Sequence, residues 1–347
     1  MNGKSAYRTA AASTPSRQRD GVLAALLLAG GLCAGGGGAL LARVPQQGSD
    51  DLDVVQVRSD FYMIAGAGGN IAVQVGPAGV ILVDTGSAEM SDKVLAAVRR
   101  LTSRPIRYVI NTSADTDHTG GNDKLSKAGQ TILGNPGSSG VSEDVYTNGG
   151  AASVLAHENV LARMSGQQSL FPFAVLPTKT YSGRSYPMYL NGDGIQVLHM
   201  PAAHSDGDSV VFFRRADVIV SGDILDTTRF PVIDVAKGGS IQGEIDALNH
   251  LVDMTIPPFP LRWREDRTYV IPGHGFVSDY GDLVEYRNVV TIMRDRIQDM
   301  VVSGMTLEQV KVADPTKGFR KRYGSDTGEW TTEMFIEAVY TSLTSRR

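Results

Sequence analysis

The chain has 347 residues, of which 42% are hydrophobic and 20% charged, and its formal net charge is -4 at pH 7. This composition supports a sizeable core in one large or two small domains, and it excludes a chain that is disordered throughout. Because the net charge is weakly negative, the sequence lacks the basic character of a nucleic-acid-binding protein, and we expect a small-molecule substrate and no nucleic-acid partner.

The first 42 residues have the composition of an export leader. Residues 1–20 are basic and rich in Ser, Thr and Ala, and residues 21–42 read GVLAALLLAGGLCAGGGGALLA without a charge. This order is typical of periplasmic or secreted proteins. The apolar run is also long enough to span a bilayer. Residues 1–42 are therefore either a cleaved signal peptide, which the glycines of the run favour, or a membrane anchor, which would be the chain's contact with a membrane.

The single cysteine, Cys33, lies within this apolar run. Once the leader is removed, the chain has no thiol, so it can form no disulfide and offers no thiolate to a metal. Any metal must then be held by His, Asp or Glu. The polar residues 43–53 that follow are predicted to be a linker.

Short β-rich runs follow the linker. Runs between residues 54 and 86 predict an antiparallel meander. Apolar residues at helical spacing predict a helix over 87–101, which is followed by the strand RYVIN at 107. The second half repeats this order, with predicted strands near 196–200, 209–214, 217–221 and 268–272 and a predicted helix over 241–254.

The order of these elements predicts an α/β fold. Strands that alternate with helices and are joined by many hairpins indicate a four-layer αββα sandwich over residues 54–276. Two amphipathic patterns, over 278–302 and 328–344, predict further helices joined by a polar segment. We interpret residues 277–347 as a C-terminal helical extension that covers the sandwich and not as a separate catalytic domain.

Four polar clusters that each follow a β-rich run contain the candidate metal ligands. The first is NTSADTDHTGGND, residues 111–123, which contains Asp117 and His118. The other three are His204 in MPAAHSDGDS, Asp223 in VSGDIL and His274 in VIPGHG. Each cluster alone is more often an ordinary loop, turn or cap. Their joint order, with imidazole and carboxylate groups suited to zinc, indicates a metal site.

These clusters resemble the metallo-β-lactamase superfamily, whose members carry the pattern NTHxHxDHxGGN at the end of such a strand. Asp117 and His118 keep this pattern, together with the GGN at 120–122, whereas Ser113 and Asp115 stand at the two leading histidine positions. The VDTG at 83–86 is a further hallmark of the superfamily. The resemblance extends over roughly residues 54 to 276.

The resemblance implies two metal pockets. Asp117, His118 and His274 would hold one metal firmly, and Asp117 would also take part in catalysis. The second pocket would use His204, Asp223 and Asp115, with Asp223 bridging the two metals or serving as a fourth ligand of one.

Because serine is a poor zinc ligand and Asp115 is shorter than a histidine, we expect the second metal to be weakly bound or absent. Zn²⁺ is the expected metal, and the carboxylate-rich ligand set would also accept Mn²⁺ or Fe²⁺. Asp84, Asn111 and Ser113 are expected to support the metal loop without coordinating the metal.

The predicted activity is metal-dependent hydrolysis. A bound metal lowers the pKa of its water from about 15.7 to about 7, and the resulting hydroxide would attack a small ester, lactone, thioester or amide. The alternative is a non-catalytic binding protein of the same fold with one structural metal. Metal content and activity toward generic esters separate the two. A nuclease is the weaker hypothesis, because the chain lacks a basic run or an additional nucleic-acid-processing domain.

Three features bear on the substrate. Asp223 and Asp226 occupy the positions at which the commonest class B β-lactamases carry a cysteine and a lysine, which argues against β-lactams. Residues 135–192 and the loop DTTRFPVID after Asp223 are predicted to line the pocket. Arg229 in that loop is a candidate anion-binding residue, although a local salt bridge would equally account for an arginine there.

Overall fold

Two β-sheets, each covered by helices on its outer face, make up the described part of this computed structural model. The described residues are 52–133, 147–148, 150–166, 170–258 and 267–345. The predicted leader, Cys33 and all but the last two residues of the predicted linker lie outside them. No helix within the described residues is both long enough and apolar enough to cross a membrane.

The first sheet has seven strands in the order β1-β2-β3-β4-β5-β8-β9. Strands β1 to β4 form the predicted antiparallel meander, and β4, β5, β8 and β9 run parallel. The strands are β1 Asp53–Arg58, β2 Phe61–Ala67, β3 Gly69–Gly76, β4 Gly79–Val83, β5 Ile106–Ile110, β8 Ser153–His157 and β9 Lys179–Tyr181. A separate short pair, β6 Ile132–Leu133 and β7 Thr147–Asn148, is antiparallel.

The second sheet has five strands in chain order. They are β10 Ser185–Leu190, β11 Asp193–His199, β12 Ser209–Phe213, β13 Val218–Asp226 and β14 Tyr269–His274. All neighbours are antiparallel except β13 and β14, which are parallel and are joined through a helix. Asp223 therefore lies within β13 and His274 at the end of β14, so both reach the same edge of the sheet.

The helices follow from local sequence patterns. In α1, Val94, Ala97 and Val98 are buried at the spacing of one helix face. In α5, the Ser240 hydroxyl caps the first turn by accepting a hydrogen bond from the Gly243 amide at 3.0 Å. The helices are α1 Ser91–Leu101, α2 Thr116–Thr119, α3 Asn122–Lys127, α4 Glu158–Met164, α5 Ile241–Met254, α6 Tyr280–Val302, α7 Leu307–Ala313, α8 Arg320–Tyr323 and α9 Thr332–Thr344.

Three apolar clusters separate four layers of structure. The central cluster lies between the two sheets, where Phe61 of β2 meets Phe213 of β12 edge to face with 4.8 Å between the ring centroids. A second cluster joins α1 to the outer face of the first sheet, and a third joins α5, α6 and α9 to the outer face of the second. The predicted four-layer αββα sandwich is confirmed.

The C-terminal helices belong to the outer layer of the second sheet. Leu248 of α5, Met293 of α6 and Phe335 of α9 lie in one buried cluster, and Phe335 stacks on Phe230 with ring centroids 4.7 Å apart. Two short helices, α7 and α8, occupy the segment that was predicted only to be polar. The helices of the extension thus pack with α5 on the second sheet, and a domain boundary at residue 277 remains a prediction.

Part of the segment predicted to line the pocket has a structural role instead. Within residues 135–192, strands β8, β9 and β10 add to the two sheets. Val154 and Leu155 of β8 are buried in the core. Residues 134–146, 149 and 167–169 lie outside the described part of the chain, so the lining role of that stretch remains a prediction.

Candidate metal centre

Two asparagine side chains stabilise the loop that carries Asp117 and His118. After β5 ends, the chain passes through Asn111 and Ser113 into the short helix α2. The Asn111 amide donates to the Asn122 side-chain oxygen at 3.0 Å, and the Asn122 amide donates back at 2.8 Å. Asn111 also donates to the carbonyl of His118 at 3.3 Å. Asn111 therefore contacts the loop through its side chain, and it lies outside both groups of candidate ligands.

The Asp84 carboxylate orients His118. It accepts hydrogen bonds from the Thr112 amide at 2.8 Å and the Thr112 hydroxyl at 2.6 Å, and it lies 2.8 Å from His118 Nδ1. Asp84 reaches this position with a left-handed backbone, φ 64°, just beyond the end of β4. A carboxylate on one imidazole nitrogen leaves the other nitrogen directed at a metal. The structure thus places Asp84 behind His118, and its support of a bound metal remains a prediction.

Asp117, His118 and His274 form the first pocket, and their ligand atoms all lie within 4.8 Å of one another. His274 Nε2 lies 3.2 Å from Asp117 Oδ2 and 3.3 Å from Asp223 Oδ1, while His118 Nε2 lies 3.1 Å from the same Asp223 oxygen. Despite these distances, the buried His274 Nε2 has no hydrogen bond of acceptable geometry. A buried imidazole nitrogen that makes no well-aligned hydrogen bond, but faces two carboxylates at ion-pair distance, fits a metal ligand.

Close approach of β14 to β13 requires a glycine at position 273. A Cβ on Gly273 would lie 2.4 Å from Asp223 Oδ1. The glycine before His274 therefore brings this histidine and Asp223 to one point.

The charges in the first pocket are those of a cation site. Burial lowers the pKa of His274, but the neighbouring carboxylates of Asp117 and Asp223 outweigh burial and raise the pKa to about 9. Burial raises the pKa of Asp117, and the contact with His274 lowers it below its ordinary value. The raised pKa favours a protonated imidazole beside the carboxylates, and a divalent metal would supply positive charge at the same place.

Asp115, His204 and Asp223 form a second group whose ligand atoms lie within 4.8 Å of one another. His204 Nε2 lies 3.2 Å from Asp115 Oδ2, and its Nδ1 lies 3.2 Å from Asp208 Oδ1. Burial lowers the pKa of His204, but the charge of Asp208 outweighs it and contributes to a pKa of about 10. This pocket also contains a cation, since Lys237 Nζ lies 3.0 Å from Asp115 Oδ1.

Comparison with known proteins agrees with this fold. Residues 65–140 match the model of the metallo-beta-lactamase superfamily. A metallo-beta-lactamase from Pontibacter korlensis superposes with a TM-score of 0.52 at 15% identity, over 70% of this chain and 99% of that chain. This chain is a metallo-β-lactamase-fold protein. The resemblance predicted from the motifs is confirmed.

A second metallo-β-lactamase-fold structure is larger than this chain. The stereoselective inverting sec-alkylsulfatase Pisa1 from Pseudomonas sp. superposes with a TM-score of 0.59 at 14% identity. The match covers 84% of this chain but 50% of the sulfatase, so this protein spans half of that enzyme's length. At such identities the likeness shows the fold alone. A search of curated proteins found no match to the sequence.

Two predicted residues of this metallo-β-lactamase-fold protein lie beside the pockets. Ser113 is buried, lies in neither ligand group, and accepts a hydrogen bond from the Asp115 amide at 3.2 Å. Arg229 Nε donates to Asp226 Oδ2 at 2.6 Å. This is a local salt bridge, the alternative role that the sequence allowed for Arg229. The charges of Asp223 and Asp117 also reach the arginine, because both contribute to its raised pKa alongside burial and Asp226.

Sequence reasoning missed three residues of the second pocket. Asp208 lies four residues after His204, and the expectation that a metal-binding histidine has a carboxylate partner could have identified it. Lys237 and its second partner Asp234, whose Oδ2 lies 2.9 Å from Lys237 Nζ, carry no such local signal. They reach the pocket because the loop between β13 and α5 packs on the loop of His204.

Proposed function

We propose that this protein is a metal-dependent hydrolase of a small ester, lactone, thioester or amide. The observation that carries the proposal is the buried Nε2 of His274, which makes no well-aligned hydrogen bond and faces the carboxylates of Asp117 and Asp223, next to a His118 ring held by Asp84. Asp117, His118, His274 and Asp223 would hold the metal, with Zn²⁺ the expected ion and Mn²⁺ or Fe²⁺ as alternatives. Such an ion supplies Lewis-acid activation of water and of the substrate carbonyl.

The side chains of the first pocket would have different roles in hydrolysis. The Asp117 carboxylate is a third exposed, with a side-chain accessibility of 34%, so it faces both the pocket and solvent. Its pKa lies below the ordinary value of a carboxyl group, so it is ionised at neutral pH and can orient a water molecule by accepting a hydrogen bond from it. His118 is buried, the Asp223 side chain is 11% exposed, and both are fixed by their partners, so they contribute position and charge.

Arg229 is the candidate residue for binding an anionic group of the substrate. Its side chain is 31% exposed and pairs with Asp226, and the charges of Asp223 and Asp117 contribute to its raised pKa. We expect Arg229→Met to raise KM about tenfold for a carboxylate-bearing ester and to leave a neutral ester of the same leaving group unaffected. Arg229→Lys, which keeps the charge, should lie between. Equal losses for both esters would show that Arg229 only stabilises its loop.

The test of the proposed function combines metal content with hydrolysis. Purified full-length protein is stripped with a chelator, reconstituted anaerobically with Zn²⁺, Mn²⁺ or Fe²⁺, and assayed with an activated ester, a lactone, a thioester, an amide, a β-lactam and a secondary alkyl sulfate. The alkyl sulfate is included because of the likeness to Pisa1. We expect one metal per chain and hydrolysis of at least one carbonyl substrate.

Variants of single histidines provide the controls. His274→Ala should lose most of the metal and the activity, whereas His204→Ala should lose little metal. His250→Ala alters an exposed histidine of α5 outside both ligand groups and should behave as wild type. Tight binding of one metal without hydrolysis of any substrate would favour the non-catalytic binding protein. No metal in any preparation would contradict both hypotheses.

A further inference from the structure

Both carboxylate oxygens of Asp115 are engaged by protein groups. Oδ1 lies 3.0 Å from Lys237 Nζ, and Oδ2 lies 3.2 Å from His204 Nε2. A carboxylate that already pairs with an ammonium group is a weaker ligand for a metal. The first pocket differs, because the ion pairs recorded there among the described residues are all between carboxylates and histidines.

The backbone of Lys237 is fixed to the loop that carries His204. The Lys237 amide donates to the carbonyl of Asp234 at 3.0 Å and to its side chain at 2.9 Å. The Lys237 carbonyl accepts from the Asp206 amide at 2.9 Å and also from the Arg163 guanidinium. The Asp234 amide in turn donates to the carbonyl of His204 at 2.9 Å. These contacts hold the base of the lysine side chain in place.

The Lys237 side chain places a positive charge at the second pocket. Its side chain is 41% exposed, and its ammonium lies between two carboxylates, those of Asp115 and Asp234. A divalent ion bound by Asp115, His204 and Asp223 would lie next to this ammonium, and two like charges at such a distance repel strongly in a partly buried site. The residues of the second pocket therefore do not fit a second metal while Lys237 stays in place.

We propose that the Lys237 ammonium takes the place of a second metal cation: it neutralises Asp115, keeps the second pocket free of metal, and makes this a one-metal protein. This inference rests on the proposed function for the role of the first pocket. The inference adds Lys237, which lies in a different loop from Asp115. An ammonium partner accounts for an aspartate at position 115, where the superfamily pattern has a histidine. Asp115 then serves as the counter-ion of Lys237.

The test is a metal titration of the full-length protein and its Lys237 variants. Lys237→Met removes the charge at similar side-chain length, and Lys237→Arg keeps the charge. Lys127→Met is the matched control, because Lys127 also pairs with an aspartate, Asp123, but at the surface. Each chelator-stripped protein is titrated with Zn²⁺ by calorimetry, and with Co²⁺ so that the ligand-field bands report the number and geometry of sites. Circular dichroism and melting curves establish that each variant is folded.

We expect Lys237→Met to bind a second Zn²⁺ at least about tenfold more tightly than wild type. Wild type, Lys237→Arg and Lys127→Met should each bind one. Adding His204→Ala to Lys237→Met should remove the second ion, and adding His274→Ala should remove the first. Two tight ions in wild type, or the same stoichiometry and affinity in Lys237→Met as in wild type, would overturn the proposal. If Lys237→Met failed to fold, tighter binding of a second ion by Lys237→Gln would support the proposal, and unchanged binding would overturn it.

The two proposals fail in different ways. If wild type binds no metal but Lys237→Met gains one that depends on His204, the proposed function is wrong and the role of Lys237 holds. If wild type binds one metal that depends on His274, and Lys237→Met gains none, the role of Lys237 is wrong while the first pocket stands.

Discussion

Asp84 Oδ2 and His118 Nδ1 lie 2.8 Å apart, and both side chains are buried. The contact joins the end of β4 to the loop after β5, so the direction of the His118 ring depends on a residue 34 positions earlier in the chain. The Asp84 carboxylate also accepts hydrogen bonds from Thr112. One group therefore fixes both the conformation of the loop after β5 and the orientation of the His118 ring.

Asp84→Asn should therefore weaken metal binding without unfolding the protein. Asparagine keeps the size and tolerates the left-handed backbone, but it removes the charge that favours a metal-binding His118. We expect a loss of affinity of about 10- to 100-fold, measured by competition with a chromogenic chelator. Asp217→Asn is the control, because Asp217 also has a left-handed backbone, φ 53°, outside both ligand groups. Unchanged affinity in Asp84→Asn would show that the ring is held by packing alone.

The two altered motif positions can be tested by restoring histidine. Ser113→His with Asp115→His would offer two neutral nitrogens beside His204, which favours zinc by ligand type. Because the double variant also deprives Lys237 of a counter-ion, we expect a second zinc to bind more tightly when Lys237→Met is added. Elemental analysis of the double and triple variants measures this. One metal in both would mean that the loop cannot place histidines at the pocket.

Stability of the metal-free protein should fall as pH rises above neutrality. The pKa of His274 is raised to about 9 and that of His204 to about 10, both above the value of about 6.5 in an unfolded chain. Their stabilisation is complete below pH about 6.5 and is lost as pH rises through about 9 and 10. Urea denaturation of chelator-stripped protein at pH 6.5 and 10 should show a fall on the order of a few kcal/mol.

The metal-loaded protein should show the opposite trend over the same range. Metal binds neutral imidazole, so protons are released and the apparent affinity increases with pH. A metal-free protein whose free energy of unfolding is unchanged or higher at pH 10 would contradict the charge assignment. The His204→Ala, His274→Ala double variant should have a flatter profile than wild type.

Export through residues 1–42 remains a prediction of the sequence. Fusing these residues to a reporter that is active only in the periplasm should give signal, and fusing residues 43–53 alone should give none. Fractionation of the fusion then separates a cleaved signal peptide, which releases soluble reporter, from an anchor, which keeps it in the membrane. A reporter that stays in the cytoplasm would contradict the leader.

Local sequence patterns predicted most of the strands and helices, because the hydrophobic periodicity of each is visible within a short stretch of residues. In β11, Ile195 and Val197 alternate with partly exposed neighbours, which is the signature of a strand with one face on the core. Short elements were missed, such as α8 and the three-residue β9, since they form only by packing on what surrounds them. Sequence motifs pointed to Asp84 and His118 as candidate site residues. No motif pointed to Lys237, because its proximity to Asp115 depends on how two distant loops pack.

The hydroxyl of Ser342 in α9 accepts a hydrogen bond at 3.1 Å from the amide of Ile241, the first residue of α5, 101 positions earlier. During synthesis, α9 emerges from the ribosome long after β14 and His274. Until then, the outer apolar face of the second sheet lacks Phe335 and Val339, which cover it together with α5 and α6. The outer apolar face of the second sheet is therefore fully covered only when α9 is in place, although the strands that it covers lie far earlier in the sequence.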